Sequence, residues 1–243
     1  MSKVVILTGA SRGIGREIAK TLARKGYHVI ANYNKSEEKA KTLKQELELQ
    51  GYTIDIFKAD VSKWEECRNL VNYVLGKYNK VDVLINNAGI SQIKEFTQLT
   101  NEDWNNMINI NLNSVFYMTK EVVENMIHNK NGCIINVASV WGMVGSSCEV
   151  HYSTAKAGVI GMSKALAKEL GPSNIRVNCV APGFVDTDMS KDLTKSEINA
   201  IINETPLMKI ARPEEITKSI EWLIEDELMT GQVISPNAGW IIT

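Results

Sequence analysis

Long apolar runs are missing from this chain of 243 residues. No stretch approaches the ~18 consecutive apolar residues that read as a membrane-spanning helix, so the sequence predicts no bilayer crossing. The first apolar run, residues 4–7, is halted by Thr8 and Gly9. That is too short for the apolar part of a secretion signal, and the expectation is a cytoplasmic protein. Cysteine is scarce. Cys67, Cys133, Cys148 and Cys179 form no C-x-x-C pair, which argues against a disulfide framework or a metal site and for reduced thiols. A basic excess is absent as well: 27 Lys and Arg face 28 Asp and Glu, with no dense basic run, so nucleic acid is not an expected partner. Repeats, low-complexity segments and Pro/Gly/Ser-rich linkers are lacking too, and residues 1–243 read as one domain.

What is present is ordinary in amount but ordered in arrangement. Apolar residues at 44 % and charged residues at 23 % suit a globular chain with a sizeable core. Strand-like runs at residues 3–7, 27–33, 53–60, 81–89, 132–139 and 175–183 are followed by a last one at 232–239. Helical patterns separate them, over residues 14–25, 36–50, 63–78, 101–129 (with one break near 107–113), 150–170 and 213–224, and within the irregular-then-helical stretch 186–204. Strands alternating with helices imply right-handed crossovers and a parallel sheet covered on both faces, an α/β fold.

Gly9, Gly13 and Gly15 lie in the first strand-to-helix turn, TGASRGIG, at a spacing that differs from G-x-G-x-x-G. Glycines let a backbone bend sharply and approach a pyrophosphate, while the next helix offers its amide donors. A tight turn with its own need for glycine is the other reading, and the position after the first strand of an alternating chain favours the nucleotide. An NAD site would place a carboxylate at the end of the second strand. Here that end reads Asn32-Tyr33-Asn34-Lys35, with no acid until Glu37. A missing acid with Arg12 and Lys35 nearby suits a 2′-phosphate and hence NADP, Lys35 reading equally as a surface lysine. Asp60-Val61 after the third strand offers a carboxylate and an amide to an adenine, or a cap to the next helix. Asn86-Asn87-Ala88-Gly89 ends the fourth strand, where ligands of open sheets bind, or forms a turn held by its own Asn side chains.

Tyr152 and Lys156 are one helical turn apart and share a face. A phenol in water ionises near pH ~10, and a neighbouring ammonium is expected to draw that value down into a useful range. Ser139, at the end of the preceding strand, can hold the oxygen that Tyr152 protonates. Glu149, three residues before Tyr152, completes a Ser146-x-x-Glu149 capping box that would start the helix. Trp141 lines the pocket or is simply packed. From spacing alone Asn111 reads as a residue at the helix break.

Taken together, TGASRGIG, Asp60-Val61, Asn86-Asn87-Ala88-Gly89, Asn111-Leu112, Ser139, Tyr152-x-x-x-Lys156 and Pro182-Gly183 resemble the classical short-chain dehydrogenase/reductase family over nearly the whole chain. The resemblance implies a single-domain, Rossmann-type, doubly wound parallel sheet of about seven strands with helices on both faces, usually as a homotetramer. It implies Tyr152 as general acid for carbonyl reduction, Ser139 orienting the carbonyl, Lys156 binding the nicotinamide ribose, and Asn111 holding a proton-supplying water. The expected NADP contacts are Gly9, Ser11, Arg12, Gly13, Ile14, Gly15, Asn34, Lys35, Asp60, Val61, Asn87, Ala88, Gly89, Tyr152, Lys156, Pro182, Gly183, Val185 and Thr187, with a substrate lid beyond Thr187.

Within the family, TGASRGIG, NNAGI and APGFVDTDM resemble 3-oxoacyl-(acyl-carrier-protein) reductases of fatty acid biosynthesis. Lys130 keeps one basic charge for carrier docking, Ser173 replaces a second, and the last strand reads SPNAGW in place of paired glycines. SVWGMVGSSCEV resembles instead the elongation factor P 5-aminopentanone reductases, which act on an amino-ketone attached to that translation factor, and that resemblance implies Glu149 pairing with the cationic amine as the alternative to its capping box. A non-catalytic NADP(H)-binding regulator is the reading from another class.

Overall fold

The structure, a computed structural model, describes residues 2–188 and 194–243. The first half is three strand–helix units: β1 (Val4–Leu7), α1 (Gly13–Arg24), β2 (His28–Tyr33), α2 (Glu37–Leu49), β3 (Ile54–Lys58) and α3 (Trp64–Tyr78). The second half continues with β4 (Val83–Asn86), α4 (Asn101–Ile108), a π-helical turn (Asn109–Asn113), α5 (Ser114–Asn129) and β5 (Gly132–Val137). It closes with α6 (Trp141–Val144), α7 (Val150–Leu170), β6 (Ile175–Val180), α8 (Lys195–Glu204), α9 (Pro213–Glu225) and β7 (Val233–Ile234).

The strands form one parallel sheet of seven in the order β3-β2-β1-β4-β5-β6-β7. Successive side chains of a strand face opposite sides, and here both sides are apolar because helices cover both. Val5, Leu7, Ile85 and Ile135 pack with Ile18 and Leu22 of α1, Leu43 and Leu47 of α2, and Ile216 and Ile220 of α9. Val4, Ile6, Leu84 and Ile134 point the other way, against Leu70 and Val74 of α3, Met118 and Val122 of α5, and Leu170 of α7. The predicted doubly wound α/β architecture is therefore what the chain adopts.

Three local expectations change. The last strand is confined to Val233–Ile234, because the residues after it turn to lie beside Pro182–Gly183, with Gly183 N–H donating to the Pro236 carbonyl. Lys63, not Asp60, stands at the N-cap of α3; the Asp60 carboxylate instead accepts from the amide and hydroxyl of Ser62. The Ser146–Glu149 capping box does not form: Glu149 is at the N-cap of α7 without a side-chain cap. The expected helix break is present as the π turn.

Candidate active site

The sheet order reverses direction between β1 and β4, which are neighbours although their connections run to opposite sides. Their carboxyl ends open the crevice where an open α/β sheet binds its ligand. Every residue expected at the site lies past the carboxyl end of a strand or on the helix face above it.

On the β1 side, Gly9 and Gly13 have φ of 66° and 54°, values that favour glycine. A methyl on Gly9 would sit 2.8 Å from the Ala88 Cα, and one on Gly15 would meet the Gly9 carbonyl and, at 2.5 Å, Asn87 Nδ2. The turn is pressed against the end of β4. Thr8 Oγ1 accepts from the amides of both Asn87 and Ala88 at 3.0 Å, and Asn87 Nδ2 donates to the carbonyls of Thr8 and Gly9. Asn86 turns inward to Asn136 of β5. Asn87 thus braces the neighbouring turn and Asn86 the neighbouring strand, in place of a turn held by their own stretch, and Ala88 lies where a small side chain lets Gly9 come close. Asn32, buried near the end of β2, adds a bridge to Gly9 N–H and the Ala59 carbonyl that was not foreseen from the sequence. A buried amide in an apolar strand was its one signal.

The same turn leaves donors open. Arg12 is the N-cap of α1, no side chain caps the helix, and no acid occupies its first turn. Free first-turn amides at a helix start suit a phosphate. Ser11 is buried in the turn, and Ile14 and Val185 both pack against the core. Arg12, Asn34 and Lys35 are exposed, and among the described residues neither Arg12 nor Lys35 has a carboxylate partner, whereas Arg16, Lys20, Lys39 and Lys41 nearby are all paired. The residues present therefore fit a dinucleotide bearing an additional phosphate. Asp60 and Val61 follow β3 at the same edge. Past β6, Pro182 accepts from the Val140 amide, Val185 bridges to Ala211, and Thr187 lies against Gly13, a built methyl there falling 3.5 Å from Thr187 Cγ2. Of the substrate lid expected beyond Thr187, residues 189–193 lie outside the described ones.

On the β5 side four side chains converge. Ser139 Oγ accepts from the Trp141 amide at 3.2 Å, which leaves its own O–H to donate. Its hydrogen bond with Tyr152 favours the phenolate, but burial outweighs it, Glu149 adds to burial, and the phenol is pushed up to about 12. This overturns the expected depression by Lys156. The ammonium lies 5.8 Å from the centre of the Tyr152 ring, over its face, and donates to the Val137 carbonyl at 2.8 Å. Lys156 is itself desolvated, its pKa drawn down to about 8. Tyr152 is thus a neutral phenol at neutral pH beside a largely charged lysine.

Asn111 is fully buried in the π turn, accepting from the Ile90 amide on Oδ1 and donating to the Met107 carbonyl. A methyl on Gly89 would fall 2.6 Å from Asn111 Oδ1 and 3.6 Å from Lys156 Nζ. Gly89 keeps that space open. Gly142 permits a second close approach, because a methyl there would meet the backbone of Lys156 at 2.7 Å, and α6 packs directly on α7. Trp141 stands edge-on to Trp240 with ring centres 4.8 Å apart. Its indole hydrogen-bonds to the Glu149 carboxyl, whose pKa burial raises despite that bond and one from Ser146.

The profile of the short chain dehydrogenase family matches residues 3–198. Over 244 residues the chain is 41 % identical to the 3-oxoacyl-(acyl-carrier-protein) reductase FabG of Chlamydia trachomatis serovar D, covering 98 % of this chain and 97 % of that protein. It is 40 % identical to FabG of Thermotoga maritima over 242 residues, 99 % and 98 % of the two chains. It is 38 % identical over 243 residues, 99 % of each chain, to the uncharacterized oxidoreductase YmfI of Bacillus subtilis. No described helix is long and apolar enough to cross a membrane. With the fold, the switch-point crevice and these relatives in agreement, the chain belongs to the short chain dehydrogenase family and is an oxidoreductase acting on CH–OH and C=O groups.

Proposed function

We propose that this chain is an NADPH-dependent reductase of ketones whose substrate is a 3-oxoacyl thioester on acyl carrier protein, working in the cytoplasm as a homotetramer. The observation that carries the carbonyl chemistry is the convergence of Ser139, Tyr152, Lys156 and Asn111 around the space kept by Gly89. NADPH supplies the hydride when bound. Ser139 directs its O–H at the carbonyl oxygen, and Tyr152 gives that oxygen its proton. The phenolate left behind is stabilised by the Lys156 ammonium, which needs only one of its donors for Val137. Asn111 Oδ1 faces the same space as Lys156 Nζ and holds the water through which the proton is replaced. The unpaired Arg12 and Lys35 support NADPH over NADH, and the relatives named as acting on carrier-bound 3-oxoacyl groups support the thioester. The test is turnover of acetoacetyl thioester by Tyr152→Phe: the reading requires its loss with NADPH binding retained, and substantial activity would overturn it.

Glu149 favours a second reading, reduction of the amino-ketone on elongation factor P. Its carboxyl is half-buried and close enough to Tyr152 to raise the phenol's pKa, and no helix cap accounts for its place. A desolvated carboxyl beside a reacting carbonyl suits a substrate carrying an ammonium. Side-by-side kinetics on acetoacetyl thioester and an amino-ketone peptide separate the two. Glu149→Gln should raise KM about tenfold for the cationic substrate only, as expected for a lost charge-assisted bond.

A further inference from the structure

The start of α7 has a local tie, the Ser146 amide on Ser153 Oγ, but no cap of its own. Glu149 provides no side-chain cap, and Cys148 before it has a φ of 60°, in the left-handed region. A non-glycine residue stays there when its surroundings over-determine it. The segment after β4 supplies the hold. The Lys94 amide donates to the Cys148 carbonyl at 2.7 Å, and Gln92 Oε1 lies 3.0 Å from His151 Nε2. His151 directly precedes Tyr152 and is wholly buried.

The direction of each bond is set from the far end. Asp103, in the first turn of α4, is an acceptor only. It takes Gln92 Nε2 at 3.0 Å and Lys94 Nζ at 2.6 Å, besides closing the capping box of α4 with Thr100. An amide whose nitrogen faces a carboxylate presents its oxygen to the other side, so Gln92 accepts and His151 carries its proton on Nε2. Burial lowers the pKa of the imidazole, Asp103 opposing and Lys94 reinforcing, and the ring is neutral at neutral pH. Nδ1 is left as a buried acceptor without a partner among the described residues. An unpaired buried nitrogen is destabilising, so an apolar side chain would serve plain packing better than this imidazole. The same segment also fixes Asn111 through the Ile90 amide.

We propose that Gln92 and His151 form a positioning clamp, anchored on Asp103, that sets the first turn of α7 and thereby the approach of Tyr152 to Ser139. The clamp touches no reacting atom, and it rests on the reading of Tyr152 as the proton donor. Displacements of about 1 Å near a reacting group cost up to about 100-fold in rate, and that is the scale on which the clamp acts.

The experiment measures kcat and KM on acetoacetyl thioester, NADPH affinity and thermal midpoint for the full chain and for His151→Leu, His151→Gln, Gln92→Leu, the double Leu variant and Tyr152→Phe. His151→Leu and Gln92→Leu should each lower kcat about tenfold or more, with NADPH affinity within about twofold. The double variant should be no slower than the slower single, since both remove one interaction. His151→Gln, which keeps a donor near the Nε2 position, should recover kcat to within about threefold. Gln92→Leu carries the test alone if His151→Leu does not fold. Losses that multiply in the double variant, a His151→Gln as slow as His151→Leu, or unchanged kcat in Gln92→Leu would each overturn the clamp while leaving Tyr152 in place. An active Tyr152→Phe would remove the donor reading and the clamp with it.

Discussion

The two ends of the crevice are built by different means. The end at β1 is backbone held by hydrogen bonds: glycines at positive φ, amides on the Thr8 hydroxyl, carbonyls on the Asn87 side-chain amide. The end at β5 is side chains held by burial: Lys156 and Tyr152 have pKa values of about 8 and about 12 because water is kept from them. A ligand's phosphates need a shape, which a main chain can fix in advance. A proton donor needs an energy, which the surrounding fold decides.

If this division is right, damage at each end should have its own signature. The largest effect is expected from Tyr152→Phe, which removes the donor and should lower kcat about 1,000-fold with NADPH affinity nearly unchanged, as steady-state kinetics and fluorescence titration will report. Gly15→Ala should do the reverse. Its methyl collides with the Gly9 carbonyl and Asn87, so calorimetry should find NADPH binding lost and the fold weakened by about 1–3 kcal/mol. An Arg12→Ala variant sharpens the comparison within the β1 end. Its ratio of NADPH to NADH affinity should fall about tenfold through the NADPH arm alone, and an unchanged ratio would remove Arg12 from the phosphate site.

The smallest effect concerns pH. Lys156 has a folded pKa near 8, below its ordinary 10.5, so the unfolded chain binds more protons between those values and stability must rise with pH there. Tyr152, raised to about 12, opposes this only above pH 10. Urea unfolding between pH 8 and 10 should therefore show the wild type gaining on Lys156→Met by on the order of 1 kcal/mol per pH unit at most. A gap that stays flat, or closes, would mean the ammonium is better solvated than its burial indicates.

That asymmetry also explains what could be read from the sequence. Alternating apolar runs and the glycines of TGASRGIG are local, and they led to the parallel α/β sheet and the tight turn after its first strand. Asn32, Thr8 and Asn87 depend on strands far apart in the chain, so their partners could not be foreseen. The acidity of Tyr152 was misread for a related reason. Adjacency on a helix gave the lysine, but which way its ammonium points and how dry the phenol becomes follow from α6, β5 and the Val137 carbonyl.

Thr8 has one further consequence. Its single oxygen joins β1 to both amides that open the stretch after β4. The slot between those strand ends therefore has a fixed gauge: it cannot spread for a bulkier guest without giving up both bonds at once.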